Sequence, residues 1–85
     1  MKEFSYVIKD EVGIHARPAG ELVKLAKKYD AVIKISVNDR TAEATKLLAI
    51  MSLGAKKGMT LKVTVEGKEE NEAADAMESF MKETL

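Results

Sequence analysis

The sequence predicts one α+β domain in two layers, an antiparallel sheet with helices over one face. Three observations predict it. Four short segments alternate apolar and polar residues, as strands do when one face is buried and the other wet. Three other segments carry apolar residues at helical spacing. The two kinds interleave as β-α-β-β-α-β-α within 85 residues, with no linker, repeat or low-complexity tract. The helices must therefore cover the face that the strands turn away from water.

Taken in order, residues 3–9 place Phe4, Tyr6 and Ile8 on one face of a first strand, which a loop over residues 10–13 ends. Ala19, Leu22, Val23 and Ala26 then recur at helical spacing, with Tyr29 continuing the stripe and Lys24, Lys27 and Lys28 on the polar side. Proline suits the first helical position and biases the preceding Arg17 away from helical dihedrals, which leaves the exact start open, but on either boundary His15 lies within about one turn of it. Residues 31–37 form the second strand, with Ile33, Ile35 and Val37 inward. Asn38 and Asp39 suit a tight turn. Residues 40–44 return as a short third strand with Ala42 and Ala44 inward, and Thr45 is expected to cap a helix over residues 46–53 that Gly54 stops. Residues 59–66 alternate cleanly, Leu61, Val63 and Val65 against Lys62, Thr64 and Glu66. Gly67 ends that strand. The last helix is expected over residues 69–81, with Ala73, Ala76, Met77, Phe80 and Met81 inward and acidic residues at its start, where the helix dipole favours them.

Composition narrows the function. The chain has no cysteine and one histidine, so disulfides, thiol chemistry and a zinc site fall away, and no metal or cofactor is expected. Formal charge is +0 and aromatics are 5%, which argues against nucleic-acid binding. The first residues lack the apolar core of a signal peptide and no apolar run approaches membrane-spanning length, so the expected location is the cytoplasm.

The chemistry concentrates in Gly13-Ile14-His15-Ala16-Arg17-Pro18, which holds the only histidine and the only proline. Alone, a histidine before a helix is an ordinary surface residue, and an arginine there merely a solvated one. Together they suggest more. The first amides of a helix lack intrahelical partners and attract anions. The planar guanidinium of Arg17 matches phosphate oxygens. An imidazole in water titrates near ~6.5, so a neutral nucleophile exists at cytoplasmic pH. Gly13 would let the loop pass close to an occupied site. His15 is therefore read as a phosphoryl acceptor, with Arg17 and the Ala16–Pro18 region holding the phosphate. General acid–base catalysis is the weaker reading, because no triad pattern accompanies the histidine. Asp10 and Glu11 are near enough to orient its ring, although the spacing does not demand it.

A second feature is Leu47-Leu48-Ala49-Ile50-Met51-Ser52-Leu53, apolar almost all round. A two-layer domain buries only one side of a short helix. Ile50 and Leu53 share one side, and Leu47, Leu48 and Met51 gather on another, which is expected to stay at least partly exposed for partners. The lysines of the first helix would steer acidic partners toward it.

The loop Gly13-Ile14-His15-Ala16-Arg17-Pro18-Ala19 resembles the active-site loop of HPr, the histidine-containing phosphocarriers of the bacterial phosphotransferase system. Lys27-Lys28-Tyr29-Asp30-Ala31 and Met51-Ser52-Leu53-Gly54 resemble HPr segments at matching places, so the likeness spans nearly the whole chain. It implies an open-faced sandwich with strand order 1-4-2-3 under three helices. It also implies a carrier rather than an independent enzyme, which takes a phosphoryl group from enzyme I onto Nδ1 of His15 and passes it to IIA components of sugar transporters. Arg17 would hold the phosphate. Gly20, Lys24, Lys27, Leu47, Leu48 and Met51 would form the docking face of a monomer.

One departure stands out. Many HPr proteins of Gram-positive bacteria carry a kinase-regulated serine just before the apolar helix, and here that position is Lys46, preceded by Thr45. Lysine cannot take that regulatory phosphate. Val12, Glu21 and Ala49 lie at positions variable in the family, so partner preference is expected to differ. The competing reading is an HPr-like regulatory module that docks proteins without a main role in sugar transport.

Overall fold

The computed structural model describes residues 1–85. Its elements are β1 (Lys2–Val7), α1 (Ala16–Ala26), β2 (Val32–Val37), β3 (Arg40–Glu43), α2 (Leu47–Met51), β4 (Thr60–Glu66) and α3 (Glu70–Thr84). The strands form one antiparallel sheet in the order β1-β4-β2-β3. This is the open-faced α+β sandwich that the alternation and the resemblance led one to expect.

Register explains why the sheet has one dry face. Phe4 pairs with Val63, Val63 with Ile35, and Ile35 with Ala42, so one apolar row crosses all four strands. One residue along, Glu3, Thr64, Lys34 and Glu43 make the matching row on the opposite face. A slip of one residue in any strand would exchange the two rows, which pins the register. The wet face is tied by Lys62 Nζ to Glu3 at 3.3 Å and by the Ser36 and Thr41 hydroxyls at 2.9 Å. Val37 pairs with Arg40, which leaves Asn38-Asp39 as a two-residue turn, with Asn38 at φ 55°.

The helices supply the other half of the core. α1 buries Pro18, Ala19, Leu22, Val23 and Ala26, α3 buries Ala73, Ala74, Met77 and Met81, and α2 buries Ile50 alone. Ile8, Leu22, Ile35, Ile50, Leu61, Met77 and Met81 are among the large side chains sealed almost completely. Each contributes roughly 1.5–3 kcal/mol relative to exposure. No polar or charged residue is buried.

One open boundary is resolved and three expectations need correction. The first helix begins at Ala16, so Pro18 occupies its third position and Arg17 is helical. The missing proline N–H is still among the first-turn donors that no carbonyl claims, and burying Pro18 against the core overrides the pre-proline bias. The second helix is shorter than expected, and its cap is Lys46, not Thr45. Lys46 has extended backbone at φ −111° and ψ 101°, and no side chain caps this helix. The third helix continues to Thr84, because Leu85 repeats the Met77–Met81 spacing and is itself buried. The first strand stops at Val7. Ile8 leaves the regular ladder, donating to the Met59 carbonyl and accepting from Gly58 N–H.

Candidate phosphoryl site

His15 sits where a loop becomes a helix. Its carbonyl accepts the first α1 hydrogen bond, from Ala19 N–H at 2.9 Å, while its ring makes no capping bond. Ala16 and Arg17 carry first-turn amides that no helix carbonyl can accept from, and Pro18 has none to offer. An anion at this helix start would therefore meet the amides of Ala16 and Arg17. His15 and Arg17 are both exposed.

The loop before His15 is held by backbone. Asp10 Oδ2 accepts from Val12 and Gly13 N–H, each at 3.1 Å, and Ile14 N–H donates to the Ala55 carbonyl at 3.0 Å. Gly13 has φ +79°, and a Cβ there would lie 2.4 Å from the Ala55 oxygen and 2.7 Å from Lys56 Cα. Its glycine thus serves the crossing with residues 55–56, not clearance for a ligand as the sequence suggested. Glu11 pairs with Lys57 at 2.7 Å. Asp10 is committed to the turn, so neither acid orients the imidazole.

His15, Arg17, Pro18, Glu21 and Thr84 line an open cleft of about 240 Å³. Arg17 Nε lies 3.8 Å from Glu21 Oε1, one helical turn on. Thr84 was not foreseen as a member of this cleft. The available signal was the i,i+4 spacing of Met77, Met81 and Leu85, which carries α3 to this end of the molecule. Glu21 reads from the sequence only as a variable surface position, although its spacing from Arg17 is that of a helical ion pair.

The expected docking residues are accessible, on two flanks. On α2, Leu48 is 79% exposed, Leu47 41% and Met51 39%, while Ile50 and Leu53 are buried. The split read from the sequence is the one observed. On α1, Lys24 lines a groove of about 420 Å³ against α3, together with Glu21, Leu25, Lys28 and Phe80. Gly20 and Lys27 line neither cleft. The chain that leaves α2 reaches Ala55 within four residues of Met51, so the apolar patch and the His15 loop are mechanically joined.

A family model described as the phosphorylation site of the PTS HPr component matches residues 2–83. The chain belongs to the HPr family. Solved structures of similar chains agree. HPr-C-His from Thermoanaerobacter tengcongensis is 35% identical with a TM-score of 0.91, over 96% of this chain and 92% of that one. The histidine-containing phosphocarrier protein of Mycoplasma is 31% identical with a TM-score of 0.94, over 98% and 94%. An HPr dimer from Thermoanaerobacter tengcongensis is 35% identical with a TM-score of 0.77, over 98% and 95%. HPr membership brings a phosphocarrier role in the phosphotransferase system. No helix is long and apolar enough to cross a membrane.

Proposed function

We propose that this HPr carries a phosphoryl group on His15, taking it from enzyme I and delivering it to IIA components of sugar transporters in the cytoplasm. The observation that carries the reading is the cleft itself. An exposed imidazole and an exposed guanidinium line it together at the start of α1, where the first-turn amides have no helix acceptor, and α2 leaves Leu47, Leu48 and Met51 exposed for partners.

In each transfer the Nδ1 lone pair of neutral His15 attacks phosphorus, and the bond from phosphorus to the donor breaks as the new P–N bond forms. The ring proton stays on Nε2. The added oxygens meet the amides of Ala16 and Arg17, whose direction the helix fixes before the group arrives, and the Arg17 guanidinium, which swings to them. Delivery reverses these events, with the imidazole as leaving group. Leu47, Leu48 and Met51 supply apolar contact for the partner, with Gly20, Lys24 and Lys27 alongside. Zero formal charge leaves steering to these local lysines. The carrier works as a monomer, since the docking patch must be free to meet successive partners. Lys46 removes control by a serine kinase at the head of α2.

Incubation with phosphoenolpyruvate and enzyme I tests the reading. Wild-type protein is expected to gain acid-labile phosphate and His15→Ala to gain none. Normal labelling of His15→Ala would overturn it. Restoration of sugar phosphorylation in an extract lacking its own HPr separates the carrier from a regulatory module, which would not restore it.

A further inference from the structure

Glu21 is the one carboxylate lining the His15 cleft, and it shares Arg17 with whatever occupies that cleft. We propose that Glu21 is a positioning residue that competes with the phosphoryl group for Arg17 and so makes this carrier a readier donor. The proposal rests on His15 as the acceptor and goes beyond it, by naming what sets the free energy of the charged form.

The geometry supports competition. At 3.8 Å the Arg17–Glu21 contact is long for an ion pair, and Arg17 and Glu21 side chains are 88% and 52% exposed. A contact so loose and so wet is weak, and Arg17 can leave it. Before phosphorylation the carboxylate gives Arg17 its only ion-pair partner. A phosphoryl group with charge near −2 takes the guanidinium by a stronger, two-pronged contact. Glu21 is then left without its cation, lining the same cleft as a new dianion six residues before it. The free carrier is thus favoured by the pair, and the loaded carrier is disfavoured by the like charge left in the cleft, and both effects push the phosphoryl group off His15. Thr84 on the facing helix has no charge with which to compensate.

The test is a phosphoryl-exchange equilibrium. Phosphorylated wild type is mixed with unphosphorylated Glu21→Gln and catalytic enzyme I, and the two loaded species are weighed by mass spectrometry. One P–N bond breaks on the wild type as one forms on the variant, so the final ratio reads the difference in transfer free energy and is blind to rate. The ratio is expected to favour Glu21→Gln by about threefold, in line with a weak exposed pair, and to shrink as salt is added. Glu21→Asp, which keeps the charge, is expected to stay near one. With Arg17→Ala in both partners, the Glu21→Gln preference is expected to fall toward one. A ratio of one for Glu21→Gln at low salt overturns the proposal, as does a preference that survives unchanged without Arg17. If wild type takes no phosphoryl group at all from enzyme I, the acceptor reading falls and this proposal with it.

Discussion

Gly13 shows what a single residue does here. Its backbone runs so close to Ala55 and Lys56 that a methyl group has no room, and its φ of +79° is one that side chains resist. Gly13→Ala is therefore expected to destabilise the fold by about 1–3 kcal/mol or more, read as a lower urea midpoint at unchanged slope. It should also slow phosphoryl acceptance, because the displaced strand of chain is the one that presents His15. Gly20 makes the opposite case. A Cβ there meets nothing within 4 Å. Gly20→Ala is expected to raise stability by roughly 0.5–1 kcal/mol through helix propensity, and to raise KM for enzyme I if a partner backbone comes close at that point. An unchanged KM would remove Gly20 from the docking face. That His15 and Arg17 share one site was legible because they sit within six consecutive residues. The purpose of Gly13 was not, because its neighbour Ala55 is distant in the chain and only folding brings them together.

At the scale of the element, α2 divides its labour by face. Ile50 is sealed and Leu48 mostly open. Ile50→Ala is expected to cost about 2–5 kcal/mol by leaving a cavity. Leu48→Ala is expected to stay within about 0.5 kcal/mol of wild type in stability, yet to weaken transfer from enzyme I. A Leu48→Ala protein that unfolds early, or that transfers normally, would contradict this division. The start of α2 gives a sharper forecast. Lys46 occupies the cap position and offers the helix no side-chain hydrogen bond. Lys46→Ser is expected to stabilise the protein by about 0.5–1 kcal/mol, measured by urea denaturation. The apolar run disclosed the two faces of this helix, because a helix greasy all round on so small a domain must expose something. It did not disclose which of Thr45 and Lys46 leads the helix. Cap preference favours threonine, but the backbone turns helical one residue later than that preference implies.

For the molecule as a whole, alternation and period were enough for the sheet, the layers and the order of elements. Short strands with clean alternation leave one register that buries every apolar row. The resemblance to HPr supplied the strand order, which no local pattern contains. Where elements end was less legible, and that has a functional consequence. An α3 stopping at Met81 would leave the His15 cleft without a wall; the observed helix brings Thr84 into it. The docking residues also divide in a way that spacing alone hides, with Lys24 turned into the groove between α1 and α3 and the leucines of α2 on the other flank. The His15 cleft and the α1–α3 groove share Glu21 in their walls, so the two are continuous.

On this reading His15 carries the phosphoryl group between two partners. The most direct measurement is a relay with purified components. The protein is labelled with phosphoenolpyruvate and enzyme I, freed of both, and mixed with a IIA component, while phosphate is mapped by mass spectrometry under alkaline conditions. Phosphate is expected on His15 after the first step and on the IIA component after the second. Phosphate on any other residue, or a labelled His15 that no IIA component can unload, would contradict it.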